Sequence, residues 1–65
     1  MNKDQVEGAT KFFVGIMQEK AGNLIGDPKQ IVVGIAKQVA GRSQKARGDI
    51  RAKISKYKKT HPTEH

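Results

Sequence analysis

The chain has 65 residues, a formal net charge of +7, 35% hydrophobic residues, 5% aromatic residues and no cysteine. This length provides one small domain with little core, and the missing cysteines exclude a disulfide or a thiolate metal site. Three states remain open: a marginal monomer, an oligomer, or a partly disordered chain that folds on a partner. No apolar run approaches the about 20 residues that cross a membrane. We therefore expect a cytoplasmic protein with no signal peptide and no integral membrane insertion.

The first predicted helix covers residues 4–20. Asp4 is followed three residues later by Glu7, which is the spacing of a capping box. Either Gly22 or Gly26 is expected to end this helix. Apolar residues recur at helical spacing and form the expected inward stripe of Val6, Ala9, Phe13 and Met17.

The second predicted helix covers residues 28–41, because Asp27 is a favoured N-cap and Pro28 suits the first helical position. Its expected apolar face consists of Ile31, Val32, Ile35 and Val39. A third helix is predicted over residues 43–58, with Ser43 or Asp49 as its cap and one apolar side formed by Ile50, Ile54 and Tyr57.

These elements predict an all-α fold, a small bundle of three to four short helices. The domain is expected to span residues 1–59, and residues 60–65 are expected to form a disordered tail because Pro62 prevents the helix from continuing.

Six of the seven glycines form two triplets with a spacing of seven residues, Gly8, Gly15, Gly22 and then Gly34, Gly41, Gly48. The second triplet is the first moved by 26 residues, and residues 6–27 match residues 32–53 at further positions, which indicates an internal duplication. Seven residues are about two helical turns, so each triplet lies along one side of a helix. Such a row either permits close helix approach, with the last glycine of each triplet as a possible cap, or marks a weak helix that frays.

The chain resembles the CsbD-like family of small bacterial general stress-response proteins over about residues 1–50. The resemblance rests on the opening Met1-Asn2-Lys3-Asp4, the ordered glycines, Leu24 followed by Asp27, and Gln44 before Gly48. It implies a short all-helical domain, two orthogonally packed helical hairpins and cytoplasmic abundance under stress. It supplies no catalytic residues, because the family has no agreed biochemical activity.

The chain departs from this family at several positions. Thr10 and Ala21 stand where family members often carry aromatic residues, and Ser43 stands where an apolar residue is common. Ile16 and Ile35 follow glycines at positions where Lys is frequent in the family. Compared with family members, this chain thus has more apolar residues at positions that are usually solvent-exposed and fewer at positions that are usually buried.

These displaced apolar residues predict self-association through Phe12, Ile16 and Ile35. A homo-oligomer would add burial to a chain that is short of core. The alternative is that the small side chains at Thr10 and Ala21 let the larger ones turn inward and refill the core.

Positive charge is concentrated in the second half of the chain, because residues 1–30 sum to zero and residues 31–65 sum to +7. This asymmetry predicts weak, sequence-independent binding of nucleic acid or another polyanion. Tyr57 is the one aromatic residue near the charge, so phosphate contacts rather than base stacking are expected. The predicted contact residues are Arg42, Lys45, Arg47, Arg51, Lys53 and Lys56. A solvated basic face and a peripheral membrane binder are the alternatives.

Motifs that would indicate catalysis are missing or unconvincing. The segment from Gly41 to Gly48 lacks the order of a phosphate-binding loop. The segment from His61 to His65 reads H-x-x-E-H, a zinc-binding signature. However, Pro62 follows the first histidine, and the sequence offers no third metal ligand and no substrate cleft. We therefore expect no catalytic, metal or cofactor-binding residues, no cofactor, and a non-enzymatic stress-response protein.

Overall fold

The computed structural model describes residues 1–60, which form two helices and a tight turn. Helix α1 spans Lys3–Ile25 and helix α2 spans Pro28–Thr60, and the two pack antiparallel as one hairpin. The described residues contain no strand, so the all-α prediction is confirmed. The three-to-four-helix bundle and the two orthogonal hairpins are not confirmed, because α2 continues without a break through residues 41–43.

Helix α1 begins at Lys3, one residue earlier than predicted, and extends to Ile25. Asn2 is the N-cap: its side chain accepts a hydrogen bond from the backbone N–H of Gln5 at 2.8 Å, and the Gln5 side chain accepts one from the Asn2 N–H at 2.9 Å. The capping box predicted at Asp4 and Glu7 is therefore wrong. Asn is as good a cap as Asp, and Gln at the third helical position completes the box.

The turn between the helices confirms Gly26 as the end of α1 and Asp27-Pro28 as the start of α2. Gly26 ends α1 in the left-handed conformation with φ of 69°, and the N–H of Asp27 donates to the carbonyl of Gly22 at 2.8 Å. The Asp27 side chain accepts from the N–H of Lys29 at 3.1 Å, while Pro28 is the first residue of α2. A glycine at the first helix end and Asp-Pro at the second start thus produce the tight reversal.

The two helices meet along their glycines. A Cβ placed on Gly8 would lie 2.6 Å from the carbonyl oxygen of Gly41, and a Cβ on Gly34 would lie 2.6 Å from that of Gly15. All six heptad-spaced glycines are buried within helices, so neither Gly22 nor Gly48, the possible caps, ends a helix. The close-approach reading of the glycine rows is confirmed. We call these two facing rows the glycine seam.

Contacts along the glycine seam repeat with the same 26-residue offset as the sequence. The contact of Gly8 with Gly41 corresponds to that of Gly34 with Gly15, since 8 + 26 = 34 and 41 − 26 = 15. An approximate twofold axis therefore relates α1 to the paired part of α2. The duplication of residues 6–27 and 32–53 itself stays a prediction.

Apolar side chains lie mostly on the outside of the hairpin. Among the described residues no apolar side chain is buried, and Gln44 is the buried polar one, at 7% exposure. The expected inward stripe of α1 is wrong, because Phe13 is 63% and Met17 70% exposed. On α2 the expected apolar face is also exposed at Val32, Ile35 and Val39, although Ile31 is half-buried. The glycine seam brings the backbones together, so side chains on the opposite face of each helix cannot reach the partner helix.

Candidate polyanion interface

Helix α2 is longer than α1 and projects past it. The first turn of α1 is fixed to residues 48–51 of α2: the Asn2 side-chain amide donates to the carbonyl of Gly48 at 2.6 Å, and Gln5 donates to Asp49 at 2.7 Å. The next nine residues, 52–60, extend beyond these contacts as helix. Every residue from 50 to 60 is exposed.

The projecting part of α2 is strongly basic. Residues 51–60, which we call the basic end, contain no acidic residue and carry Arg51, Lys53, Lys56, Lys58 and Lys59. Lys58 and Lys59 lie in the last helical turn, where cations interact favourably with the helix dipole. With no second helix alongside, these cations have an open approach for a phosphate backbone.

Three of the six predicted polyanion contacts already have partners in the hairpin. The guanidinium of Arg42 lies 5.3 Å from the centre of the Phe12 ring. Lys45 forms an ion pair with Asp49 at 3.0 Å, and Arg51 forms one with Asp4 at 2.6 Å. The three cations themselves are exposed, so these contacts contribute little stability and leave each cation accessible to another anion.

The other three predicted contacts, Arg47, Lys53 and Lys56, take part in none of the ion pairs found among residues 1–60. The six residues do not form a single face. Helical spacing puts Lys56 on the same flank as Arg42 and Lys45, and puts Arg47 with Arg51 on the opposite flank.

Lys58 and Lys59 are two further candidate contact residues that the sequence prediction does not include. Both lie on the basic end, and both line a shallow concavity with Met1, Ile54 and Ser55. The signal that could have identified them is the run of five cations without an acid from Arg51 to Lys59.

A polar network connects α2 to α1 just before the basic end begins. The side-chain amide of Gln44 donates to Asp4 at 3.2 Å and to Glu7 at 2.9 Å. The hydrogen bond from Gln5, followed by that from Lys45, holds the pKa of Asp49 below its usual value. The carboxylates near this end thus accept hydrogen bonds from donors of the hairpin, and none of the ion pairs found among residues 1–60 includes a cation beyond residue 51.

The residues predicted to mediate self-association lie on one flank of the hairpin. Phe12 and Ile16 are half-buried beside α2, whereas Ile35 is 46% exposed. Gly15 faces Gly34, and Ile16 and Ile35 each follow one residue later on antiparallel helices, so they lie about 3 Å apart along the hairpin axis. Part of this surface is therefore already used within one chain, and nothing in the structure tests its use between chains.

Residues 1–60 contain no group of three His, Asp or Glu side chains placed to hold a metal ion. Within the same residues neither helix is long and apolar enough to cross a membrane. The H-x-x-E-H segment and the predicted tail beyond Thr60 lie outside the described residues.

The fold and site define a class: a two-helix hairpin closed by glycine contacts, with a basic helix end projecting from it. A UPF0337 protein of Mesorhizobium japonicum is 41% identical over 56 residues, covering 86% of this chain and 90% of the relative. A UPF0337 protein of Pseudomonas putida is 34% identical over 62 residues, covering 95% of this chain and 76% of the relative. The chain belongs to the UPF0337 family of small bacterial proteins, which corresponds to the CsbD-like family. No family model matches the chain, and no solved structure does.

Proposed function

We propose that this protein is a non-enzymatic general stress-response protein of the bacterial cytoplasm, and that it acts by binding polyanions through the basic end of α2. The stress role is supported by the CsbD-like resemblance. The binding role is supported by one observation above all: residues 51–60 carry five cations, no acid and no covering helix.

The expected ligand is a phosphate backbone rather than particular bases. A single aromatic residue, Tyr57, lies on the basic end, so successive bases have no stacking platform. Lysines act as point charges and do not supply the bidentate geometry that reads a base edge. Binding is therefore weak and independent of sequence, and nucleic acid competes with other polyanions such as polyphosphate.

Salt dependence measures the number of phosphates contacted. If all five cations of the basic end neutralise phosphates on duplex DNA, log K falls against log salt concentration with a slope of about −4.5. We expect this slope in fluorescence-anisotropy titrations of a labelled duplex. An affinity that does not change between low and high salt, or that depends strongly on base sequence, contradicts the proposal.

A matched pair of triple variants locates the interface. Lys53→Gln, Lys56→Gln and Lys59→Gln together remove three charges from α2 and are expected to reduce the slope by about 2.7. Lys11→Gln, Lys20→Gln and Lys29→Gln remove the same charge from exposed positions outside the basic end. Equal loss of binding in both variants would indicate a response to net charge alone and would refute a site on the basic end.

The stress role has its own test in the bacterium. We expect the amount of protein to rise on entry into stationary phase or after osmotic shock, and a strain lacking the gene to survive such treatment less well. Constant abundance together with unchanged survival would argue against a stress-response function, whatever the result of the DNA titrations.

A further inference from the structure

A second row of side chains runs along α1 on the side that faces away from α2. Its members alternate at spacings of four and three residues, which keeps them on one face of the helix. This outer seam consists of Val6, Thr10, Phe13, Met17, Lys20 and Leu24. Its apolar members are 49%, 63%, 70% and 88% exposed in chain order. Four large apolar side chains of α1 are therefore directed at solvent.

The hairpin exposes more surface than a compact protein of its mass. Its accessible surface is 5222 Å². A compact monomer of this size exposes about 4,100 Å², so the excess is about 1,100 Å². A standard interface buries about 800 Å² on each partner. Part of this excess belongs to the projecting basic end, and the remainder is available to a partner chain, since no apolar side chain among the described residues is buried.

We propose that two copies of this chain pack back to back through the outer seams of α1, antiparallel, with a twofold axis at the level of Gly15. In this register Phe13 of one chain packs against Met17 of the other. Val6 likewise meets Leu24, and the two polar members, Thr10 and Lys20, meet each other. The outer seam is therefore complementary to itself, with large apolar residues paired and polar residues paired.

Net charge favours α1 over α2 as the helix that contacts the second chain. Helix α1 carries three cations and three acids and sums to zero, whereas α2 carries ten cations and one acid and sums to +9. Two α1 helices can approach without net repulsion, but two α2 helices cannot. The antiparallel arrangement also puts the two basic ends at opposite ends of the dimer, where they repel each other least. This dimer does not depend on polyanion binding.

Sedimentation of matched double variants tests the choice of face. We expect the parent chain to dimerise as concentration rises, and Phe13→Lys with Met17→Lys to sediment as a monomer over the same range. The control, Val32→Lys with Val39→Lys, adds the same charge at 64% and 60% exposed positions on the outer side of α2, and should still dimerise. Circular dichroism shows whether each variant keeps its helices. A parent chain that stays monomeric, or a control that also dissociates, overturns the proposal.

Disulfide cross-linking tests the register without relying on disruption. The chain has no cysteine, so introduced thiols report one contact each. A mixture of a Thr10→Cys chain and a Lys20→Cys chain is expected to form the mixed disulfide under mild oxidation. A Thr10→Cys chain alone should cross-link poorly, because its two thiols lie about 15 Å apart along the helix axes in the antiparallel register. Efficient cross-linking of Thr10→Cys to itself would instead indicate parallel packing and refute the proposed dimer.

Discussion

Alanine in place of the α2 glycines separates helix formation from helix packing. The variant carries Gly34→Ala, Gly41→Ala and Gly48→Ala. A Cβ on Gly41 would lie 2.5 Å from both the carbonyl oxygen of Gly8 and the backbone nitrogen of Phe12. Ordinary contact begins at 3.4 Å, so the backbones must separate by about 0.9 Å, since 3.4 − 2.5 = 0.9. The obstructing atoms are backbone, so no side-chain rotation relieves the clash.

The two energetic effects of this variant have opposite signs. Alanine favours an isolated helix by about 1 kcal/mol per glycine replaced, or about 3 kcal/mol for three. Overpacking costs about 1–3 kcal/mol at each site, and a gap of this width forfeits a quarter to a half of the dispersion attraction along the seam. We expect the hairpin contacts to be lost while α2 stays helical or becomes more so, because a helix of 33 residues is long enough to persist.

Two measurements are needed, because the glycine-to-alanine variant is expected to keep its helix content while losing the contact between the helices. Far-UV circular dichroism reports helix content, and fluorescence energy transfer between labels on α1 and on α2 reports whether the hairpin is closed. Ser43→Ala is the control, since Ser43 is exposed and its substitution raises helix propensity without touching α1. If the triple variant keeps the hairpin closed and melts at a higher temperature, the glycine seam is not what holds the helices together.

Three further predictions concern the ends of the helices. Gln5→Ala should raise the pKa of Asp49 towards its usual value, which NMR titration can follow. In the parent chain the lowered pKa of Asp49 stabilises the folded state; this contribution is complete above about pH 4 and is lost as the pH falls through the folded-state pKa. Asn2→Ala should lower the free energy of unfolding in urea by about 0.5–2 kcal/mol, since it removes a cap and the bond to Gly48; no change would mean the cap is unimportant. Gly26→Ala should cost about 1–2 kcal/mol in the same assay because of its positive φ, although space is open there, and a neutral result would argue against the left-handed cap.

The sequence predicts the helical class and the turn, because both depend on local chemistry. Asp27, Pro28 and Gly26 specify the helix boundaries through their own backbone preferences, and the structure agrees with them. The heptad glycines also indicated close helix approach. These features need no knowledge of what lies far away in the chain.

The interior could not be predicted by asking where the apolar residues lie. Hydrophobic spacing pointed Phe13 and Met17 inward, but the hairpin brings backbones together at Gly15 and Gly41, and those apolar side chains face outward. A helix boundary is predicted near residues 41–43 because Ser43 is a possible cap, yet α2 is continuous there and Gly41 packs within it against Gly8 and Phe12. Tertiary contact overrides local propensity here.

The arrangement of the basic residues was only partly predictable for the same reason. Charge counting identified the second half of the chain, but Arg51 is paired with Asp4 across 47 positions, a contact that sequence distance conceals. Lys58 and Lys59 gain their open position only because α2 projects past α1.

The central claim is that the glycine seam, and not an apolar core, is the interior of this hairpin. Nuclear Overhauser effects in an isotope-labelled sample test it most directly. The structure predicts cross-peaks from the α-protons of Gly8 to the amide proton of Lys45, and from those of Gly34 to the amide of Glu19, because these backbones are in contact. Absence of both cross-peaks, together with contacts from Phe13 and Met17 to side chains of α2, would contradict the account.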